Sequence, residues 1–228
     1  MRTFTFPDTA ATLNLCDSRE EWLAKRNSYI GGSDAGAIIG VNKWKSNADL
    51  WDEKTGRKAP ADLSENPMVA YGAEAEAPLR ELFALDFPEL KVEYKPHNIW
   101  LNPKQPWAHA SLDGWITDKD GRRGILEIKT TLASARNKEE WNQQIPQSYY
   151  AQILHYMMVT EFSFAIVKAQ LKHEAYGDSQ QEPFLITRHY RIERADVLDE
   201  IEYLQEQERQ FAQSIEAGQR PARLLPEI

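Results

Sequence analysis

Asp113, Glu127 and Lys129 lie within one short stretch, HASLDGWITDKDGRRGILEIK, which begins at His109. Carboxylates with a backbone carbonyl between them form a ligand set that Mg2+ accepts, and Mg2+ keeps waters that can become nucleophiles. A lysine beside such a water can orient it or stabilise charge developing on a phosphate. Positioning these groups requires a β-hairpin. Asp113 to Thr117 and Ile125 to Lys129 are apolar, β-prone runs flanking the polar turn Asp118 to Gly121. Because side chains alternate along a strand, Glu127 and Lys129 share one face, while Leu126, Ile128 and the flanking Ile125 are expected to pack. An ordinary solvated hairpin with a weak cross-strand ion pair has the same spacing, so the wider chain must decide between the two readings. A calcium-loop reading of Asp118-Lys119-Asp120-Gly121 fails, because the glutamate that would close the loop falls where the chain enters a strand.

Length and composition narrow the classes. The 228 residues, 42% hydrophobic and 11% aromatic, predict one globular domain with a sizeable mixed core, and the order of helix-like and strand-like runs along it makes the class α/β. The N-terminus has no apolar leader segment and no run reaches membrane-spanning length, so a soluble protein of the cytoplasm is expected, without a membrane partner. The single cysteine, Cys16, excludes an internal disulfide and a four-cysteine metal or iron–sulfur site. A net charge of −8 argues against broad coating of nucleic acid, so a nucleic-acid enzyme here needs metals and local basic patches.

Taken in order, the chain predicts a helical N-terminal part over 1–66, a core over about 67–192 and a terminal helix over about 195–217. Ser18 and Glu21 fit a capping box opening a short helix to about Asn27, with Lys25 and Arg26 in its last turn. Gly31-Gly32-Ser33 reads as a turn, with Ser33 as N-cap of a helix from Ala35 to Ile39, where glycines could let a phosphate approach. Ser46 caps a further helix that Gly56 ends beside the basic cluster Lys54, Arg57 and Lys58. Asn66 and Pro67 begin a long helix to about Phe87, in which Glu76 sits among small residues that let another element approach. Strands are expected at Lys91 to Tyr94 and His97 to Leu101, then the hairpin, then a helix from Gln147 to Thr160. Two β-rich runs follow, Phe162 to Ala169 and Pro183 to Ile192, with a polar loop from Lys172 to Glu182 between them. The charge on the last helix suggests solvent or a subunit boundary, and a Pro-containing tail follows it.

The ordered set Glu76, Ser111-Leu112-Asp113-Gly114, Glu127-Ile128-Lys129 and Tyr149-Tyr150-Ala151-Gln152 resembles the PD-(D/E)XK nuclease superfamily. More narrowly it resembles the phage lambda exonuclease group, the YqaJ-type viral recombinases, over roughly Trp22 to Met158. The resemblance implies a restriction-endonuclease-like core with a central mixed sheet flanked by helices. It implies divalent metal, Mg2+ with Mn2+ as a substitute, held by Glu76, Asp113, Glu127 and the Ile128 carbonyl, with Lys129 serving the nucleophilic water and Gln152 lining the site. Arg26 and Ser33 would match a pocket for a 5′ phosphate, Val69 an apolar wedge between strands, and Arg136 a DNA contact. Leu112 stands where the family usually has proline. Pro103 stands where some relatives have a further acid, leaving His109 as a possible helper for a second metal. The function implied is 5′-to-3′ exonuclease action on linear double-stranded DNA ends, leaving 3′ single-stranded tails for recombination. A homotrimer ring, a single-strand annealing partner and a phage or prophage origin in a bacterial host go with it. The alternatives are an endonuclease of the same superfamily, restriction or junction-cutting, and a non-catalytic DNA-end binding module.

Overall fold

A computed structural model describes residues 2–63, 65–173 and 184–224. A five-stranded mixed sheet forms the centre, with strand order β3-β5-β6-β7-β8. The strands are β3 (Lys91–Glu93), β5 (Gly114–Thr117), β6 (Arg123–Leu132), β7 (Phe164–His173) and β8 (Phe184–Glu193). Only the β6–β7 pair is parallel, and α5 (Ala135–Glu140) and α6 (Gln147–Thr160) make the crossover that a parallel pair requires. One face of the sheet is covered by α6, the other by α4 (Pro67–Asp86), so the period-two alternation of β6 is read by two different layers. Ile125 packs in the larger core with Ile153 and Met157 of α6. Leu126 and Ile128 pack with Leu79 and Phe83 of α4. This is the α/β architecture with helices on both faces of a mixed sheet that the sequence predicts.

Every residue of α6 from Ala151 to Thr160 is buried, which explains why its methionines and leucine crowd so closely. Fully burying one such side chain contributes about 1.5–3 kcal/mol. The terminal helix α7 (Leu198–Glu216) packs on α6 through Ile201 and Leu204, and its Phe211 joins a separate cluster with Ile38, Leu50 and Trp51. Near the N-terminus, α1 (Arg19–Asn27), α2 (Gly32–Ile38) and α3 (Asn47–Lys54) precede α4.

Several expectations change. Residues 1–66 are not uniformly helical. β1 (Arg2–Thr5) and β2 (Thr12–Leu15) pair with β4 (Asn98–Leu101) in a separate three-stranded sheet. Alternating Thr and apolar residues favour strands here, and the pairing partner of β2 lies far along the chain. Ser18 caps α1 through Glu21 N–H as expected, but Glu21 Oε2 accepts from Asp17 N–H, one residue earlier than a reciprocal box requires. Ser33 is not the cap of α2. Gly31 holds that position, its N–H donating to Asp34 Oδ2. The two glycines are needed for close packing: a Cβ on Gly31 would meet His109 Cε1 at 2.6 Å, and one on Gly32 would meet the Tyr156 ring at 2.5 Å. Helix α5 was not anticipated. The loop expected from Lys172 to Glu182 begins within β7, which extends to His173, and its remaining residues, like the end of the tail at 225–228, lie outside the described residues.

Candidate active site

The hairpin delivers its chemistry at one end. Asp113 immediately precedes β5, and its Oδ2 accepts from the Ile128 N–H of the facing strand at 2.9 Å. Arg80 on α4 donates to the Asp113 carbonyl at 2.7 Å and fixes the same turn from the opposite side. Glu127 and Lys129, two residues apart on β6, turn towards α6. There Lys129 Nζ lies 2.7 Å from Glu127 Oε1 and donates to Gln152 Oε1 at 3.0 Å. The Gln152 amide donates to Glu127 Oε1 and to the Tyr156 hydroxyl, both at 2.8 Å. Lys129 also lies 4.8 Å from the centre of the Tyr149 ring, a cation–π contact. Asp113, Glu127, Lys129 and Gln152 thus form one connected group, and Glu76 of α4 couples to it electrostatically.

The charge balance of the group is uneven. Burial, then the Asp113 charge, raise the Glu127 carboxyl to about 8 against the pull of Lys129. Burial and the same Asp113 charge raise Glu76 to about 7. Asp113 is raised by burial, with Lys129 the main opposing influence. Burial alone would lower Lys129, but the Glu127 and Asp113 charges outweigh it and hold the ammonium protonated. Three carboxyls therefore gather around Lys129, with the Arg80 and Arg26 charges also acting on Glu76 and Asp113. Glu127 Oε2 is also buried with no hydrogen-bond partner, a costly state for a carboxylate oxygen. An orphaned hard oxygen among several acids suits a hard divalent cation. Among the described residues no three His, Cys, Asp or Glu side chains form a ready-made ligand cluster. A cation here would therefore draw on Asp113 and Glu127, the Ile128 carbonyl and water, with Glu76 approaching from α4.

The other residues named from sequence are distributed as follows. The guanidinium of Arg26 stacks on Trp22 at 4.3 Å, and among the described residues no carboxylate pairs with it. Its charge acts on Glu76, Asp113, His109 and Tyr156, so it faces the site. Ser33 is exposed on α2. Val69 is 46% exposed near the start of α4. Arg136 is exposed and pairs with Glu140 at 2.9 Å. His109 is not drawn into the acid group: its ring is buried against Gly31, with Nδ1 3.2 Å from the Ile30 carbonyl. Nor is the basic cluster after α3 free. Lys54 bonds Asp34 and the Tyr29 carbonyl, Lys58 bonds Asp49, and Arg57 stacks on Trp51. Arg80 and Tyr156 were missed from sequence, although each stands four residues after a named site residue on the same helix, Glu76 and Gln152.

The model of the YqaJ-like viral recombinase domain matches residues 21–163. The uncharacterized protein YqaJ of Bacillus subtilis is 39% identical over 143 residues, covering 62% of this chain. That match spans 42% of the relative's own length. Among solved structures, the alkaline exonuclease LHK-Exo of Laribacter hongkongensis shares the fold with a TM-score of 0.64 at 20% identity, over 87% of this chain and 93% of that one. A phage-related exonuclease from Haemophilus somnus shares it with a TM-score of 0.52 at 17% identity, over 83% and 96% of the two chains.

Proposed function

The chain belongs to the YqaJ-like viral recombinase family, and on that basis we propose that it is a divalent-metal-dependent exonuclease acting on linear double-stranded DNA from the 5′ end. The observation that carries the reading is the acid-rich group of Asp113, Glu127 and Glu76 around Lys129, with the unpartnered Glu127 Oε2. General acid–base help contributes about 10²- to 10⁴-fold, and phosphodiester hydrolysis needs far more, so electrostatic stabilisation must supply most of the rest. Mg2+, with Mn2+ as a substitute, would be held by Asp113, Glu127, the Ile128 carbonyl and Glu76. Bound there, it supplies Lewis-acid polarisation of the phosphate and a water of lowered pKa.

The chain's own residues do the positioning. Gln152 bonds both Lys129 and Glu127 through its one amide and so positions the ammonium beside the carboxylate. Lys129 orients the attacking water or neutralises the phosphate oxygen that gains charge. Arg26, with no acid partner, offers a planar fork for a 5′ phosphate, and the family resemblance assigns Ser33 to the same pocket and Val69 to the wedge that parts the strands. The whole described chain acts as one nuclease unit. Its product is 3′ single-stranded tails, passed to a single-strand annealing protein in the cytoplasm of a bacterial host carrying phage or prophage genes.

A homotrimer ring belongs to the same proposal. At −8 net charge the chain cannot hold DNA by broad counterion release, and enclosure keeps substrate bound through many cleavages. Lys54, Lys58 and Arg136 each pair with a carboxylate, and in this proposal Arg136, released from Glu140, and Lys138 on the same helix α5 face the channel. Light scattering after size exclusion tests this, and a monomer would exclude it. The activity itself is tested by digesting end-labelled linear duplex, with and without Mg2+, beside a covalently closed circle. Loss of the linear strand from its 5′ end, only with metal and with the circle untouched, is expected. Cutting of the circle would make the enzyme an endonuclease, and binding of ends without cleavage would make it a binding module.

A further inference from the structure

Beyond Lys129, β6 continues to Thr131, which alternation places on the same face about 6.6 Å further on. Thr131 and Tyr149 are walls of a cavity of about 350 Å³ that also involves Val41, Trp141 and Trp44. Tyr149 is shared: its ring contacts Lys129 on one side and lines the cavity on the other. Trp141 is buried and stacks on Tyr149 with ring centres 5.6 Å apart, so the cavity has a rigid aromatic back wall.

Trp44 is the unusual member. It is 82% exposed, the most solvent-exposed large apolar side chain among the described residues. Its loop is nevertheless firmly held. Val41 and Asn42 N–H both donate to the Gly36 carbonyl, at 2.8 and 3.0 Å. Asn42 Oδ1 accepts from the N–H groups of Trp44 and Lys45, at 2.8 and 3.1 Å. On either side of Trp44, Lys43 pairs with Glu140 across the cavity rim and Lys45 pairs with Glu53. The fold thus pins the backbone on every side and still leaves a flat indole in water. Nothing in the packing of the chain repays that exposure, whereas an arriving planar ligand would.

Substrate polarity decides what the ligand is. Arg26, the candidate 5′-phosphate contact, acts on Tyr156 and His109 at one end of the group, and Gln152 lies at its middle. Tyr149 and the cavity lie at the opposite end of the same helix. A strand with its 5′ phosphate at Arg26 and its scissile phosphate at Lys129 continues towards Tyr149. We propose that this cavity is a nucleobase subsite, in which the base immediately 3′ of the scissile phosphate stacks on Trp44. The proposal rests on the nuclease reading above for its direction, while the aromatic cavity itself does not. Stacking is indifferent to base identity, as an enzyme that degrades any sequence requires.

The test pairs a change in the protein with a change in the DNA. A 5′-phosphorylated duplex is prepared with its second nucleotide either normal or abasic, and each is digested by wild type, Trp44→Ala and Trp44→Phe. Loss of the base should raise the half-saturating DNA concentration of the wild type about 10-fold. Trp44→Ala should show the same rise on normal DNA with no further rise on abasic DNA, and Trp44→Phe should recover most of the loss. An abasic penalty of equal size in wild type and Trp44→Ala would overturn the subsite. So would a Trp44→Ala variant whose only change is a smaller assembly mass, which would assign Trp44 to a subunit contact. The same four combinations of wild type or Trp44→Ala with normal or abasic DNA are measured by fluorescence anisotropy in EDTA. If no metal supports cleavage but the binding penalties still fail to add, the nuclease reading falls and the base subsite stands.

Discussion

A partly buried and a fully buried ion pair flank α6, one turn apart, and the chain treats them differently. On one side Lys129 meets Glu127, with Asp113 and Glu76 adding charge of the same sign as Glu127. On the other, His155 Nδ1 meets Glu208 Oε1 of α7 at 2.7 Å, and both side chains are 0% exposed. The other nitrogen of His155 lies 2.8 Å from the His109 carbonyl. Both partners of the imidazole are acceptors, so both ring nitrogens donate and the ring is a cation. One acid meets one base there, in a sealed space, although Glu208 Oε2 is unpartnered like Glu127 Oε2. The Lys129 pair opens towards Asp113 and brings three carboxyls together with Lys129 and the charges of Arg80 and Arg26. Similar residue types therefore serve as a bolt in one place and as the proposed reactive centre in the other, and access and the number of acids sharing one site make the difference.

The comparison breaks most visibly at Lys129. Lys129→Ala and Asp113→Ala should each lower cleavage by about 10²- to 10³-fold or more, with unchanged circular dichroism, because neither side chain supports the core. Near-wild-type digestion by either variant would remove the acid-rich group from the chemistry. Glu208→Ala should do the reverse. It leaves a buried imidazolium unpaired and should cost about 3–5 kcal/mol in urea unfolding, while linear DNA is still cut at low temperature.

The pH dependence of that pair has a definite sign. Burial lowers the His155 pKa, but the Glu208 charge and hydrogen bond outweigh burial and leave it raised. The pair's contribution is therefore fully present below the unfolded histidine value, about 6.5, and is lost as pH rises through the higher folded value. The stability gap between wild type and His155→Gln should shrink as the pH of the urea titration rises from 6 towards 9. A gap that widens with pH would contradict the imidazolium assignment.

A smaller effect is expected at Arg26. Arg26→Ala should reduce the preference for 5′-phosphorylated over 5′-hydroxyl ends about 10-fold, since charge-assisted forks to phosphate are among the stronger hydrogen bonds. An unchanged ratio would return Arg26 to its packing role over Trp22.

Much of this geometry was legible in the sequence because it is local. The β5–β6 hairpin, the shared face of Glu127 and Lys129, and the limits of α6 follow from period two, period 3.6 and Pro146, all within a few residues. What was not legible depends on distant partners. Glu208 sits on a charged helix and reads as solvated, and only His155, 53 residues away, makes it a buried anion. Thr12-Leu13-Asn14-Leu15 is too short to commit to a strand without β4 beside it. Gly31 and Gly32 looked like a turn for a ligand, yet the His109 and Tyr156 rings that demand their small size come from elsewhere in the chain.

If the carboxyls around Lys129 take a divalent cation, thermal unfolding in a Mg2+ or Mn2+ titration will register it. Binding confined to the folded state adds about 2.7 kcal/mol at a metal concentration 100 times the dissociation constant. The melting temperature should rise with metal in the wild type and in Glu208→Gln, and the response should be abolished in the double variant Asp113→Asn, Glu127→Gln. A double variant that responds to metal as the wild type does would contradict cation binding by these carboxyls.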